Sequence, residues 1–201
     1  MKGIGDVVWN ELILKSTTQR RGWGGDAGIV DGIDGEWIHR SIEKVEWLGE
    51  KIREINPAKI IETGTNYGSF SWLLYNTLEH FSLDTTDIVE GSRECIQRIN
   101  EFYGGDRVKF HHNDALEFLN EWEGSVDMAW LDSCHQTEYI KNELIRCSEL
   151  GIPYLLVDDW NWVEIREGVE EFLKTNESYE IVDQSPMDRG WSRVVVLKRK
   201  A

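Results

Sequence analysis

The chain has 201 residues, with 37 acidic side chains against 22 basic ones and a formal net charge of −15. That length fits one compact α/β domain with a sizeable core, and a surface this acidic repels phosphate backbones and anionic headgroups, so nucleic acid and membranes are not expected as partners. No apolar run approaches the ~20 residues that span a bilayer, and three cysteines without a Cys-x-x-Cys pair argue against a disulfide framework or a structural zinc site.

The first residues, MKGIGDVVWNELILK, carry Asp6 and Glu11 inside their apolar stretch and so lack a secretory core. A cytoplasmic protein is expected. Residues 1–35 form an N-terminal segment whose glycine-rich part, flanked by Trp23 and Trp37, is either a lid over a site or a plain surface loop. From Trp37 to Ile55, apolar residues at Ile38, Ile42, Val45, Leu48, Ile52 and Ile55 predict one amphipathic helix.

Ile60 and Ile61 suit a buried parallel strand ending at Glu62, and Phe70, Leu73, Leu74, Thr77, Leu78 and Phe81 recur at the spacing of one helical face. Between them lies Gly64-Thr65-Asn66-Tyr67-Gly68, followed by Ser69. Gly64 permits a sharp turn and close approach to a ligand, and Gly68 with Ser69 can open the helix with free N–H groups. The Gly-x-x-x-Gly spacing lacks both the three glycines of a dinucleotide fingerprint and the Gly-Lys-Ser/Thr ending of a P-loop. Strand, acidic residue, glycine loop and helix together describe a nucleotide-binding corner.

Phe81 to Ile88 reads as a second strand ending at Asp87, placed to accept ribose hydroxyls, with Glu90 as the nearby rival. A helical pattern over Arg93–Tyr103 leads to a third strand, Arg107–His112, followed by Asn113, Asp114 and Ala115. A fourth strand spans Val126–Asp132 and a fifth Tyr154–Asp158. Tyr179–Asp183 and Arg193–Lys198 read as a closing antiparallel pair. Acidic or amide residues at successive parallel strand ends mark the ligand crevice of an open α/β sheet.

This succession resembles the class I S-adenosylmethionine-dependent methyltransferases over residues 36–201. The resemblance implies a doubly wound, mostly parallel seven-stranded sheet with an antiparallel last strand, the Rossmann-like methyltransferase fold. It implies S-adenosylmethionine as cofactor, bound by Glu62, Gly64, Thr65, Asn66, Tyr67, Gly68, Ser69, Asp87, Ile88, Asn113, Asp114, Ala115 and Asp132, with Asp114 on the adenine amine. One departure is Leu150-Gly-Ile-Pro153, which lacks the family's usual Gly-Gly before strand five.

Asp132, Asp158 and Asp159 supply three carboxylates from adjacent strand ends, an all-oxygen set suited to Mg²⁺ or another divalent cation. The layout looks like the catechol O-methyltransferase group, with Asp159 in place of that group's Asn and His135 in place of its lysine base. Asp-x-x-His-x-x-x-Tyr also resembles a broader set of small-molecule and sugar O-methyltransferases in which metal use varies. His135 can take a hydroxyl proton near neutrality, so His135 and Asp132 are the catalytic candidates. Asp158 and Asp159 as helix caps, and His135 as a loop residue, are the structural alternatives. Cys134 lies in the same loop with nothing to mark it as a nucleophile.

The expected activity is therefore O-methylation of a small hydroxylated metabolite or sugar, with or without a metal. N-methyl or aminopropyl transfer on the same fold, and a non-catalytic binding role, are the alternatives. A homodimer is compatible with the sequence but not indicated by it.

Overall fold

A computed structural model describes residues 35–186 and 192–200, with side chains from Lys44 onward. The lid or surface loop expected within residues 1–35 falls outside them, apart from Gly35. The elements run α1 (Gly35–Ile55), β1 (Lys59–Thr63), α2 (Ser69–Thr77), β2 (Ser82–Asp87), α3 (Gly91–Tyr103), β3 (Val108–His112), α4 (Ala115–Glu121), β4 (Met128–Leu131), α5 (Thr137–Glu149), β5 (Tyr154–Val157), α6 (Val163–Thr175), β6 (Tyr179–Gln184) and β7 (Val195–Arg199).

The sheet order is β3-β2-β1-β4-β5-β7-β6. β1 to β5 run parallel, and β7 is antiparallel to both β5 and β6. The expected fold is the observed one. Side-chain alternation divides the core between the two faces of the sheet. Ile60, Met128 and Trp130 pack with Ile52, Phe70 and Leu74 of α1 and α2, whereas Ile61, Ala129 and Leu131 pack with Leu144 and Phe172 of α5 and α6. Both faces are covered, so β4 and most of β1 and β5 are buried without a polar side. Trp130 stacks on Phe70 at 4.8 Å between ring centroids, and Trp72 is buried too, which accounts for two of the tryptophans as core.

The helix expected to reach Phe81 stops at Thr77. Leu78 is extended, with φ −118° and ψ 137°, and its N–H closes on the Leu74 carbonyl. Asn76 and Thr77 turn their side chains back to the Trp72 and Leu73 carbonyls. Leu78 and Phe81 are nonetheless buried, because the chain entering β2 carries them into the same core. Their spacing continued the helical rhythm without belonging to the helix. His111 and His112 close β3, as expected. Among the described residues no helix is long and apolar enough to cross a membrane.

Two helices set the position of the loops that matter most. α5 begins just after the β4 loop and α6 just after the β5 loop, and the two cross at Gly168. A Cβ there would lie 2.2 Å from Ile140 Cγ2 and 2.7 Å from the Thr137 carbonyl oxygen. Gly168→Ala is therefore expected to force α5 and α6 apart and to cost about 1–3 kcal/mol of stability by overpacking. Urea unfolding of the variant checks this, and a loss near zero would show that the crossing is not tight.

Candidate active site

The crevice opens where the sheet order reverses, between β1 and β4. Gly64 leaves β1 with φ 87°, and a Cβ on it would lie 2.0 Å from the Asp132 carbonyl oxygen. Only glycine fits there. Gly64 and Thr65 donate their N–H groups to the Thr86 carbonyl at 2.9 and 3.1 Å, and Thr65 and Thr85 share a hydroxyl hydrogen bond of 2.6 Å. Gly68, with φ 74°, caps α2 and packs on Ile96 and Ile99. Tyr67 and Ile88 are exposed on either side of this loop.

Asp87 ties two loops together. Its Oδ2 accepts from the Asn66 N–H at 2.7 Å and its Oδ1 from the Val89 N–H at 2.8 Å. The rival Glu90 is committed elsewhere, to Arg93 and, at 3.0 Å, to His112 Nδ1. After β3, Asn113 Oδ1 accepts from the Asp114 N–H, while Asp114 caps α4 by accepting from Leu116 and Glu117. Tyr139 Oη donates to Asp114 Oδ2 at 2.7 Å, and Ala115 opens α4 in a buried position.

Glu62 is 1 % exposed and its Oε2 has no hydrogen-bond partner. Burial pushes its carboxyl up to about 8, against the pull of a hydrogen bond with Thr85 and with a further push from Asp87.

At the β4 and β5 ends, Asp132, His135 and Asp159 come together, with one ligand-capable atom from each lying within 4.8 Å of the others. His135 Nε2 is 3.0 Å from Asp159 Oδ2, and the imidazole lies 4.8 Å from the Trp162 ring. The hydrogen bond to Asp159 raises the His135 pKa above its ordinary value of 6.5, and burial opposes it. Burial pushes Asp159 up, but hydrogen bonds from His135 and Ser192 and the Lys44 charge hold it below the usual carboxylate range. Asp132 lies well above that range, through burial and then through Asp158 and Asp159, with Lys44 acting against both. Asp159 takes φ 54°, a left-handed conformation that turns it out of line with Asp158.

Asp158 is engaged otherwise. Lys44 Nζ donates to both of its oxygens at 2.6 and 2.8 Å, and Ser192 Oγ donates at 2.7 Å. The carboxylates of the expected metal set thus fall into two groups, Asp132 and Asp159 facing His135, and Asp158 facing Lys44. Neither Asp158 nor Asp159 caps α6, whose N-cap is Trp162. Cys134 is half-buried, and burial raises its thiol pKa.

Lys44, Ser192 and Glu143 are site neighbours that sequence reasoning missed, and Tyr139 was seen only as part of a spacing. Lys44 sits on an amphipathic helix far away in sequence and carries no local signal. Glu143 does carry one, since it stands among Ile140, Leu144 and Cys147 on the buried stripe of α5.

Residues 61–153 match the model of a family described as a methyltransferase domain. No curated protein matches the chain in sequence. Among solved structures, the S-adenosylhomocysteine-bound methyltransferase PaMTH1 of Podospora anserina is similar at TM-score 0.68 and 16% identity, over 95% of this chain and 87% of that one. The O-methyltransferase TomG of Streptomyces achromogenes, in complex with SAM, is similar at 0.66 and 18%, over 79% and 80%. The O-methyltransferase of Bacillus cereus, in complex with SAH, is similar at 0.66 and 16%, over 88% and 92%. The match to a methyltransferase domain thus runs from inside β1 to the threshold of β5, and the sheet order around it is the fold shared with these solved methyltransferases.

Proposed function

We propose that this methyltransferase acts on a hydroxyl of a small metabolite or sugar, with His135 as the base that takes the hydroxyl proton. The observation that carries this reading is the 3.0 Å contact of His135 Nε2 with Asp159 Oδ2 beside Asp132, at the edge of the glycine corner. The names of two structural neighbours, both O-methyltransferases, support the choice of oxygen over nitrogen.

S-adenosylmethionine, when bound, supplies an electrophilic methyl group on a sulfonium. The residues present fit it. The buried Glu62 Oε2 lacks a partner, and Asp87 retains lone pairs for ribose hydroxyls beyond the two that accept N–H groups. Thr65, Asn66, Tyr67, Gly68 and Ser69 would line the same corner, Ile88 would lie beside the ribose, and Asn113, Asp114 and Ala115 would hold the adenine. Asp159 holds the imidazole so that Nδ1 is the nitrogen left to accept the proton, and it stabilises the imidazolium that forms. Trp162, exposed beside His135, offers an aromatic face to the acceptor.

A second reading is favoured by the same cluster. Two carboxylates and an imidazole in reach of one point, with Asp132 raised by burial and then by neighbouring negative charge, form a donor set that fits a divalent cation. Asp132 and Asp159 would hold it, His135 would serve as a third donor, and Asp158 would remain with Lys44. A Lewis acid there would lower the pKa of the acceptor hydroxyl.

Because the base must be deprotonated, kcat is expected to rise with pH through a His135 pKa that Asp159 holds above 6.5. Asp159→Asn should move that limb to lower pH and reduce kcat, and His135→Ala should reduce kcat by about 10²–10⁴-fold. S-adenosylhomocysteine release over a panel of hydroxylated acceptors measures both, and a His135→Ala enzyme with wild-type kcat would sink the base assignment. Asp87→Ala removes the loop brace together with the ribose acceptor, so calorimetric affinity for S-adenosylhomocysteine is expected to fall at least about tenfold. The second reading predicts that Mg²⁺ or Mn²⁺ added to EDTA-treated protein raises its unfolding temperature, and that Asp132→Asn abolishes the rise. A flat response leaves the His135 and Asp159 pair working alone.

A further inference from the structure

Glu143 is 0 % exposed on α5, flanked on the same stripe by Ile140, Leu144 and Cys147. A methionine or leucine would fill this place without the cost of desolvating a carboxyl. Glu143 is instead tied to the site. Its Oε1 accepts from Ser133 Oγ at 2.9 Å. Its Oε2 is buried without a partner, and so is Thr63 Oγ1, which lies close enough to act on the Glu143 carboxyl though outside hydrogen-bond geometry. Burial is the main reason that this carboxyl is pushed up to about 7.

Ser133 follows Asp132, whose carbonyl oxygen is the atom that faces Gly64, and Thr63 precedes Gly64. One buried side chain thus meets the chain neighbours of both residues, Gly64 and Asp132, whose backbones approach so closely in the crevice. One helical turn earlier, Tyr139 holds Asp114 from the same helix. α5 thereby touches the exits of β1, β3 and β4 through two polar side chains.

We propose that Glu143 is a positioning residue for methyl transfer, holding Ser133, and through it the Asp132 turn, against Gly64 of the cofactor loop. It touches neither cofactor nor acceptor. Its effect is to keep the floor of the cofactor corner at one fixed height, a supporting role on which the geometry of a first contact layer depends. The inference is independent of the acceptor and of any metal, because the cofactor corner alone reads it out.

The test is calorimetric titration of S-adenosylhomocysteine into the full chain as wild type, Ser133→Ala, Glu143→Met, Glu143→Gln and the Ser133→Ala/Glu143→Met double variant, with thermal unfolding of each. Ser133→Ala and Glu143→Met are each expected to raise Kd about tenfold, the double variant little further, since both remove one interaction. Glu143→Gln is expected to keep Kd within about threefold of wild type, because its amide oxygen still accepts from Ser133 and its NH₂ can donate to Thr63. Ser133→Ala removes only a hydroxyl from a partly exposed residue and is expected to fold, with its unfolding midpoint lowered by the acceptor it leaves unpaired on Glu143, so it decides the matter even where Glu143→Met fails to fold. Wild-type affinity in Ser133→Ala, or a Glu143→Gln variant as weak as Glu143→Met, would overturn the proposal.

Discussion

Backbone meets backbone where β1 and β4 leave the sheet, and the active site is organised around that contact. Gly64 lies so near the Asp132 carbonyl that any side chain would collide with it, while the N–H groups of Gly64 and Thr65 are anchored on the opposite side to Thr86 of β2. The glycine loop is therefore clamped between its two neighbouring strands. Beyond the clamp the loops diverge, one toward β2 and the other toward β5, and the divergence makes the crevice. The cofactor corner and the Asp132 to His135 turn cannot move independently while this contact holds.

The acidity of the chain acquires a meaning at this point. Glu62 and Glu143 lie on the two sides of the clamp, both buried and both pushed toward the neutral acid by desolvation. Asp132, Asp158 and Asp159 lie above it, and Lys44 is the cation that reaches them among the described residues. Lys44 comes from α1, far from Asp158 in sequence, so the helix nearest the N-terminal segment is pinned to the site by charge as well as by the Leu48 and Ile52 packing beneath it. His135, partly exposed and raised by Asp159, contributes further positive charge when protonated. The acids nearest the clamp are thus pushed toward neutrality by burial, while Asp158 and Asp159 are each matched by a basic partner.

Much of this was legible from local pattern. Short apolar runs at β1, β4 and β5, only Ile60 and Ile61 in the first, fit strands covered on both faces, and an acidic or amide residue after each of them pointed to one edge. The glycine corner was visible because close backbone approach demands a residue without Cβ. Boundaries were less legible: Leu78 and Phe81 carried the helical rhythm of α2 past its true end, since burial in one core looks alike whether a helix or a strand delivers the side chain. The division among the aspartates was not legible at all. Asp158 and Asp159 are adjacent in sequence, yet one faces Lys44 and the other His135, because the positive φ of Asp159 turns it away.

The sequence by itself determined the order of strands and helices, the glycine corner and the set of acidic residues at the strand ends, because periodicity, chirality and crossover rules act on neighbouring residues. Which of those acids are buried, which are paired and which face one another came from the three-dimensional packing. Those properties depend on burial and on charges that arrive from distant elements, such as Lys44 from α1 and Ser192 from the approach to β7, and a linear pattern carries no trace of either.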